Sequence, residues 1–264
     1  MPLEDRAGQL TFSRSRAEGA PAVFIHCALA HHGAWAGVWQ MLKGLRCTGF
    51  DLPGHGRSAA WDGTADYTAL SAEVAASFAE EPIHLIGHSF GAVVALRLAA
   101  ARPECVRSLT LVEPVMFAAA KGRPEYAAYE STFRPFAEAF DAGDLDAAAQ
   151  VFNRLWGAMA WADIPPTQRA YMVERIALIP ATAPGIVEDV DGILSSGRIA
   201  RIDCPVALVQ GGQSPAIIGA ILEDLNTRLP QATRHRVEGA GHMAPMSHAR
   251  EVAEIIAQVV ARAA

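Results

Sequence analysis

Ser89 is the residue of this sequence best suited to covalent chemistry, because it stands at the centre of Gly87-His88-Ser89-Phe90-Gly91, a G-x-S-x-G pattern. The short apolar run before it, residues 83–86, predicts a buried strand, and the run after it, residues 92–101, predicts a helix that ends at Arg102-Pro103. A sharp turn between such a strand and helix lifts a serine out of the sheet as a nucleophile. The alternative is an ordinary turn, since glycine and serine are common turn residues.

A serine hydroxyl is a weak nucleophile at neutral pH and needs a neighbouring base. Of the nine histidines, His242 is the best candidate, because it lies in the glycine-rich stretch Gly239-Ala240-Gly241-His242 after the last predicted strand. A histidine in a surface loop is the alternative. The other histidines are predicted to be structural or local: His88 flanks the serine, His55 lies in a tight turn, and His26 is expected to anchor its loop by hydrogen bonding.

These side chains must be positioned by a framework in which strands and helices alternate on both sides of a purely helical stretch. Strands are predicted at 9–13, 22–26, 47–50, 83–86, 106–112, 206–209 and 234–237, and helices at 35–42, 67–79, 92–101, 216–228 and 248–261. From 116 to about 194 the strand patterns vanish, and proline-punctuated, alanine-rich helices are predicted at 125–140, 145–156 and 167–178. The pattern therefore predicts a mostly parallel α/β core, residues 1–115 and 195–264, with a helical cap of residues 116–194.

The bulk properties of the chain narrow its partners. At 264 residues, with 51% hydrophobic and 19% charged residues, it fits one large α/β domain of ordinary globular composition. A formal net charge of −6, without any lysine–arginine cluster in the sequence, argues against a nucleic-acid partner. Neither a signal peptide nor an apolar membrane span is evident, and the four scattered cysteines are expected to be free thiols. We expect a cytoplasmic protein with a small-molecule substrate and no membrane partner, as a monomer or homodimer.

Four features occur in a particular order: His26-Cys27, the stretch Asp51-Leu52-Pro53-Gly54-His55-Gly56-Arg57-Ser58, the serine turn, and Gly241-His242. In this order they resemble the α/β-hydrolase fold, over nearly the whole chain. The resemblance implies a mostly parallel, eight-stranded sheet flanked by helices, with a helical cap inserted after the family's strand 6. That strand corresponds to the predicted strand 106–112, and the composition of this chain shifts after it. It also implies Ser89 as the nucleophile and His242 as the base of a catalytic triad, in a capped, esterase-like branch.

The third member of the triad departs from the family's commoner pattern. Most relatives have an aspartate after the family's strand 7, which corresponds to the predicted strand 206–209, and the matching position here is Ser214. A neutral hydroxyl cannot stabilise an imidazolium. By resemblance to branches, including certain dehalogenases, that carry their acid after strand 6, Glu113 is predicted to supply it. The alternatives are a glutamate that pins the cap to the core, a solvated strand end, or an incomplete triad.

The family's oxyanion hole consists of two backbone N–H groups, and the resemblance assigns them to Phe90, directly after the nucleophile, and to Ala28. Cys27 occupies the usual glycine position, where a small packed side chain is expected rather than a second nucleophile. His31 and His32 are expected at a pocket rim or in solvent, because adjacent residues rarely ligate one ion and no carboxylate or cysteine is suitably spaced nearby. Neither a metal nor a cofactor is predicted.

The chemistry that these residues imply is acyl transfer to water, with a small to medium, largely apolar ester as substrate. Met116, Phe117 and Trp156 of the helical stretch, with Met243, are candidates to bind it, although such side chains also fill the core of a small domain. A serine rather than an aspartate in the turn disfavours dehalogenase and epoxide hydrolase chemistry. The alternatives are a carbon–carbon bond hydrolase or lactonase with the same triad, and a non-catalytic ligand-binding member of the fold, which only the serine at position 214 favours.

Overall fold

The computed structural model describes residues 2–263 of the chain. Its strands are β1 (Glu4–Arg6), β2 (Gln9–Thr11), β3 (Ser13–Arg16), β4 (Ala20–Ile25), β5 (Leu45–Phe50), β6 (Ile83–His88), β7 (Val106–Val112), β8 (Val206–Gly211) and β9 (Ala232–Val237). Its helices are α1 (Ala36–Met41), α2 (Tyr67–Ala76), α3 (Phe90–Ala101), α4 (Pro124–Asp141), α5 (Leu145–Trp156), α6 (Pro166–Arg175), α7 (Leu178–Ile186), α8 (Ala216–Arg228), α9 (Ala244–Ser247) and α10 (Ala249–Ala261). Among the described residues, no helix combines the length and the apolarity that crossing a membrane requires.

Seven strands form the main sheet, in the order β3-β5-β4-β6-β7-β8-β9, and every neighbouring pair except β3 with β5 is parallel. The main sheet thus has one strand fewer than the eight expected, and β1 and β2 form a separate antiparallel hairpin. The predicted strand 9–13 is divided at Phe12. Its N–H donates to the Ser58 hydroxyl (2.9 Å) and its carbonyl accepts from the Asp51 N–H (2.9 Å), so its backbone groups are not available to a strand partner.

The central strands are buried on both faces, as their almost continuous apolar sequences require. All residues of β6 and six of the seven in β7 are buried. One apolar layer, with α2, α3 and α8, covers one face, and a second, with α1 and α10, covers the other. Because the strands are parallel, their carboxyl ends meet at one edge of the sheet, where the loops that follow them carry polar side chains.

The chain between β7 and β8 is helical. It contains α4 to α7, and no strand occurs in this stretch, all of which the structure describes. The predicted helix 167–178 ends at Arg175, and α7 contradicts the expectation that Pro180 and Pro184 interrupt helices. Pro180 lies in the first turn, where its missing N–H is not needed. Pro184 lies in the last turn of α7, beside a close contact of this helix with α2, where a Cβ on Gly185 would overlap the Thr68 hydroxyl.

Candidate active site

Ser89 occupies a strained turn between β6 and α3. Its backbone has φ +57° and ψ −119°, a region that residues other than glycine rarely adopt. The chain can turn this tightly because Gly87 and Gly91 have no Cβ. A Cβ on Gly87 would overlap the Gly91 carbonyl, and a Cβ on Gly91 would overlap the carbonyl of Ile25. The Ser89 N–H donates to the carbonyl of Val112 at the end of β7 (2.9 Å), which fixes the serine at the carboxyl edge of the sheet.

His242 lies in the loop between β9 and α9, and its ring contacts two of the predicted partners. Its Nε2 is 3.0 Å from Ser89 Oγ, and its Nδ1 is 3.0 Å from Glu113 Oε2. The exposed fractions of Ser89, His242 and Glu113 are 7%, 6% and 0%. Because an ionised carboxylate only accepts hydrogen bonds, Nδ1 carries the proton and the Nε2 lone pair faces the serine hydroxyl. In this tautomer the imidazole can accept the serine proton.

Glu113 directly follows β7, with a positive φ of 53°. Its Oε1 accepts hydrogen bonds from the Gly211 N–H (2.5 Å) and from the Ser214 hydroxyl (2.8 Å). A buried carboxylate needs such donors to remain ionised. The serine at the position of the commoner aspartate therefore contacts the carboxylate that is predicted to replace that aspartate.

Ala28, Ser89 and Phe90 line one cavity, and Phe90 is the first residue of α3. N–H groups in the first turn of a helix have no intrahelical partner. In the described part of the chain, neither the Phe90 nor the Ala28 N–H hydrogen-bonds to a backbone acceptor. Leu29, which has φ +59°, donates its N–H to His55 Nε2 (3.0 Å) and so holds the loop beside Ala28. Two unused amides next to the serine hydroxyl are suited to bind a developing oxyanion.

His26 and His55 brace the loop that carries Ala28. His26 Nδ1–H donates to the Cys27 carbonyl (2.7 Å), while its Nε2 accepts the Leu52 N–H (2.9 Å). Both rings are buried, and burial lowers the pKa of His26 to about 3 and the pKa of His55 to about 4. Both rings are therefore neutral at physiological pH, and they hold the backbone by hydrogen bonds rather than by charge.

Cys27 has the properties of a packed side chain. It is 4% exposed, and burial raises the pKa of its thiol to about 12. Since the thiolate is the nucleophilic form of cysteine, this protonated thiol is inert at neutral pH.

A carboxylate lies beside His31 and His32, contrary to the expectation from their spacing. The potential ligand atoms of these two histidines and of Asp51 lie within 4.8 Å of one another. Asp51 Oδ1 accepts the His32 N–H (2.8 Å) and contacts His32 Nδ1 (2.7 Å), and Oδ2 accepts the Arg57 N–H (2.9 Å). Although burial opposes the charge, these hydrogen bonds lower the pKa of Asp51 to about 2. The carboxylate thus ties the loop that begins at Asp51 to the loop that carries His32.

Two cavities meet at Ser89, and Ala28, Phe152 and Trp156 also line both of them. The aromatic cavity has a volume of about 310 Å³, and its other lining residues include Phe117, Tyr129, Phe133, Phe136 and Phe140. The His242 cavity has a volume of about 550 Å³ and is lined by His242 together with His31, Asn153, Gln168, Tyr171 and Met243.

Three of the four side chains predicted to bind substrate line these cavities: Phe117 the aromatic cavity, Met243 the His242 cavity, and Trp156 both. The ring centroids of Trp156 and His242 are 4.6 Å apart. Met116 is the exception, because it is fully buried in the core and lines neither cavity. Consecutive side chains point in different directions, so the neighbour of a lining residue such as Phe117 can be packed in the core.

Two further residues hold the site together without having been assigned that role from the sequence. His88 Nε2 donates to the His242 carbonyl (2.8 Å), and burial together with the His242 ring lowers the pKa of His88 to about 3. The Tyr171 hydroxyl donates to the Ala30 carbonyl (2.9 Å) and accepts the Gly56 N–H (2.8 Å). The residues that make these three contacts are separated in the sequence by 154, 141 and 115 positions, so no local pattern reveals them.

The parallel sheet and the serine, histidine and glutamate at its carboxyl edge define the class of α/β hydrolases. Comparison with known proteins agrees, since residues 22–255 match the alpha/beta hydrolase family. The chain belongs to this family.

Individual relatives span nearly the same length. Lipase LipV of Mycobacterium tuberculosis is 29% identical over 252 residues, which cover 90% of this chain and 92% of that protein. Pimeloyl-(acyl-carrier protein) methyl ester esterase of Methylococcus capsulatus is 29% identical over 260 residues, which cover 95% of this chain and 98% of that protein. A thermophilic esterase from Thermogutta terrifontis has a similar fold, with a TM-score of 0.73 at 18% identity over 99% of this chain and 97% of that one.

Proposed function

We propose that this chain is a serine esterase that hydrolyses a small to medium, largely apolar ester through an acyl-enzyme, with Ser89, His242 and Glu113 as its triad. The observation that carries the proposal is the continuous hydrogen-bonded path from Ser89 Oγ through both His242 nitrogens to Glu113 Oε2, with 3.0 Å at each contact. Ester hydrolysis is also supported by the names of the similar proteins, a lipase and a methyl ester esterase.

In the acylation step, Ser89 Oγ attacks the ester carbonyl carbon while its proton passes to His242 Nε2. The Glu113 carboxylate faces Nδ1–H and stabilises the imidazolium without taking its proton. The N–H groups of Ala28 and Phe90 bind the negatively charged oxygen of the tetrahedral intermediate. His242 then gives the proton to the alcohol oxygen, the ester C–O bond breaks, and the acyl group remains on Ser89.

Water completes the reaction by the same route. A water molecule attacks the acyl carbon while His242 Nε2 takes one of its protons, and the oxyanion returns to the amides of Ala28 and Phe90. When the intermediate collapses, the proton passes from His242 to Ser89 Oγ. The carboxylic acid leaves, and the hydroxyl of Ser89 is restored.

Residues 116–194 act in this proposal as a cap, and residues 1–115 and 195–264 act as the catalytic core. The support comes from the origin of the side chains. Helices α4, α5 and α7 supply most of the aromatic cavity, whereas the nucleophile, acid and base follow β6, β7 and β9. A helical layer over the serine keeps bulk water from the acyl-enzyme and selects substrates by shape.

A fluorophosphonate probe, which phosphonylates an activated serine, tests the proposal together with the turnover of simple esters. We expect labelling of the wild type at Ser89 and none of Ser89→Ala. Glu113→Gln should fold but lower kcat by about a thousandfold or more, because an amide cannot stabilise the imidazolium. Glu130→Gln, at an exposed glutamate of α4, is the matched control and should retain the wild-type rate.

Two results would contradict the proposal. A folded wild-type protein that neither reacts with the probe nor hydrolyses esters would favour a ligand-binding member of the fold. If Glu113→Gln hydrolyses esters at the wild-type rate, Glu113 is not the acid of the triad.

A further inference from the structure

The two cavities that meet at Ser89 differ in which parts of the catalytic machinery they contact. Phe90, whose N–H is one of the two oxyanion donors, lines only the aromatic cavity. His242, whose Nε2 must protonate the departing alcohol, lines only the His242 cavity. Ala28, whose N–H is the other proposed donor, lines both cavities, as do Trp156 and Phe152, which lie where the cavities meet.

From this asymmetry we infer that the acyl part of the substrate occupies the aromatic cavity and the alcohol part occupies the His242 cavity. The inference rests on the proposed esterase function. The acyl carbon must bond to Ser89 Oγ, and the alcohol oxygen must lie within hydrogen-bond reach of His242 Nε2 when the C–O bond breaks. An alcohol placed in the aromatic cavity would extend into the cavity that His242 does not line, which is the less favourable side for protonation by His242 Nε2.

The lining of the aromatic cavity defines the class of acid. The rings of Phe117, Tyr129, Phe133, Phe136 and Trp156 line it, together with aliphatic side chains such as Ile179 and Ile186. Its charged side chain is Asp141, which is exposed and would repel a second carboxylate on the acid. Burying apolar surface contributes about 25 cal/mol per Å², so an uncharged alkanoyl or arylalkanoyl group is favoured. At about 310 Å³ the cavity suits a medium-length chain.

The lining of the His242 cavity defines a different class of alcohol. The amides of Asn153 and Gln168 and the His31 ring offer hydrogen-bond donors and acceptors there. A volume of about 550 Å³ is much larger than methanol requires. The substrate class is therefore an ester of an apolar, medium-length acid with an alcohol that is larger and more polar than methanol.

Two isomeric esters, 2-hydroxyethyl hexanoate and hexyl hydroxyacetate, test the assignment directly. They contain the same atoms, but the apolar six-carbon chain belongs to the acid in the first and to the alcohol in the second. We expect kcat/KM to be at least about tenfold higher for 2-hydroxyethyl hexanoate, whose apolar half is the acid. Equal values, or a preference for hexyl hydroxyacetate, would overturn the assignment.

A matched pair of variants locates the preference in the structure. Ala183→Phe, on α7, narrows the aromatic cavity, and Ala158→Phe, after α5, narrows the His242 cavity. Ala183→Phe should lower kcat/KM for 2-hydroxyethyl hexanoate by about tenfold and leave 2-hydroxyethyl acetate within about twofold. Ala158→Phe should change both esters by the same factor.

Each outcome of this comparison is decisive. If Ala158→Phe alters the dependence on acyl length as much as Ala183→Phe does or more, or if neither variant alters it, the assignment is wrong. Fluorophosphonate labelling of both variants shows that their serine remains activated. If the wild type itself hydrolyses no ester and resists the probe, the proposed function fails, and the assignment of the cavities fails with it.

Discussion

At the scale of single residues, Glu113 and Ser214 form a contact in the position where the resemblance leads one to expect a single aspartate. The glutamate after β7 contacts His242 Nδ1 at 3.0 Å, and the serine after β8 donates to the same carboxylate at 2.8 Å. Hydrogen bonds to an ionised acceptor are stronger than those between neutral groups. Ser214 therefore stabilises the ionised form of Glu113 and fixes its orientation, which makes it a positioning residue in the proposed mechanism.

Removal of the Ser214 hydroxyl tests this role. We expect Ser214→Ala to lower kcat for an ester substrate by about tenfold, because a hydrogen bond to a buried charge is lost. Ser214→Thr keeps a hydroxyl at the same position and should retain most of the activity. Steady-state kinetics and urea unfolding of both variants separate an effect on catalysis from an effect on stability. A wild-type kcat for Ser214→Ala would show that Glu113 is oriented without it.

His88 contacts His242, the proposed base, through the hydrogen bond from its Nε2 to the His242 carbonyl. We expect His88→Ala to lower kcat by about tenfold with little change in KM, because the loop that carries His242 loses its tie to β6. His84→Ala is the matched control. This histidine is equally buried in β6 but bonds to Ser108, away from the site, so its loss should reduce stability without a specific loss of kcat. If the two variants have the same kcat, the tie has no catalytic role.

At the scale of elements, the sequence predicted boundaries wherever a segment carries its own pattern. Strand β7 and helices α5 and α8 begin and end at the predicted residues, since their apolar residues and the residues that flank them are local. Elements whose bounds depend on distant partners were predicted less well. The strand at 9–13 is divided by contacts of Phe12 with Asp51 and Ser58, and α7, which contains Pro180 and Pro184, packs closely against Thr68 of α2. Propensity alone cannot anticipate such contacts.

The close approach of α3 to β4 is tested by two glycines that both lie in helices. Gly91→Ala would place a Cβ against the Ile25 carbonyl, so we expect it to lower the free energy of unfolding by about 2 kcal/mol or more. Gly219→Ala, in α8, meets no atom nearer than 3.5 Å and should raise that free energy by up to about 1 kcal/mol, because alanine favours helices. Urea unfolding measures both. Equal stabilities would show that α3 can move away from β4 without cost.

At the scale of the whole molecule, the site is assembled from segments that are far apart in the sequence but end at one edge of the sheet. Ser89, Glu113 and His242 could be nominated in advance because each follows a predicted strand and matches a position that the α/β-hydrolase resemblance assigns to a triad. Parallel strands then bring their carboxyl ends together. The cavities could not be predicted in this way. Packing decides which face of each helix between β7 and β8 turns toward Ser89. Met116, the neighbour of the cavity-lining Phe117, was therefore predicted to bind substrate, although it is buried in the core.

The buried neutral histidines predict how stability depends on pH. The pKa is lowered to about 3 for His26 and His88 and to about 4 for His55 and His84, first of all by burial. In the unfolded chain these residues take up protons near pH 6.5. Their contribution to stability is therefore complete above pH 6.5 and is lost as the pH falls toward their folded values, by up to about 1.4 kcal/mol per pH unit for each histidine.

Urea unfolding between pH 7.5 and 5 measures this loss. Asp51, with its pKa lowered to about 2, loses its contribution only below about pH 4, so it does not contribute in that window. We expect the free energy of unfolding to decrease toward pH 5, and His84→Asn to decrease less steeply than the wild type, since it removes one titrating group. A free energy that is constant between pH 7.5 and 5 would contradict the burial of these rings as neutral groups.

The placement of Trp156 has an optical consequence. Its indole ring lies 4.6 Å from the His242 imidazole and lines both cavities. Indole emission shifts with the polarity around the ring and is quenched by a nearby imidazolium. The filling of either cavity, and the proton transfer to His242 in the proposed mechanism, should therefore change the intrinsic fluorescence of the protein. Stopped-flow spectroscopy can then follow binding and the proposed acylation in the unlabelled protein. Trp156→Phe, which keeps the other four tryptophans, is the control in which the change should be lost.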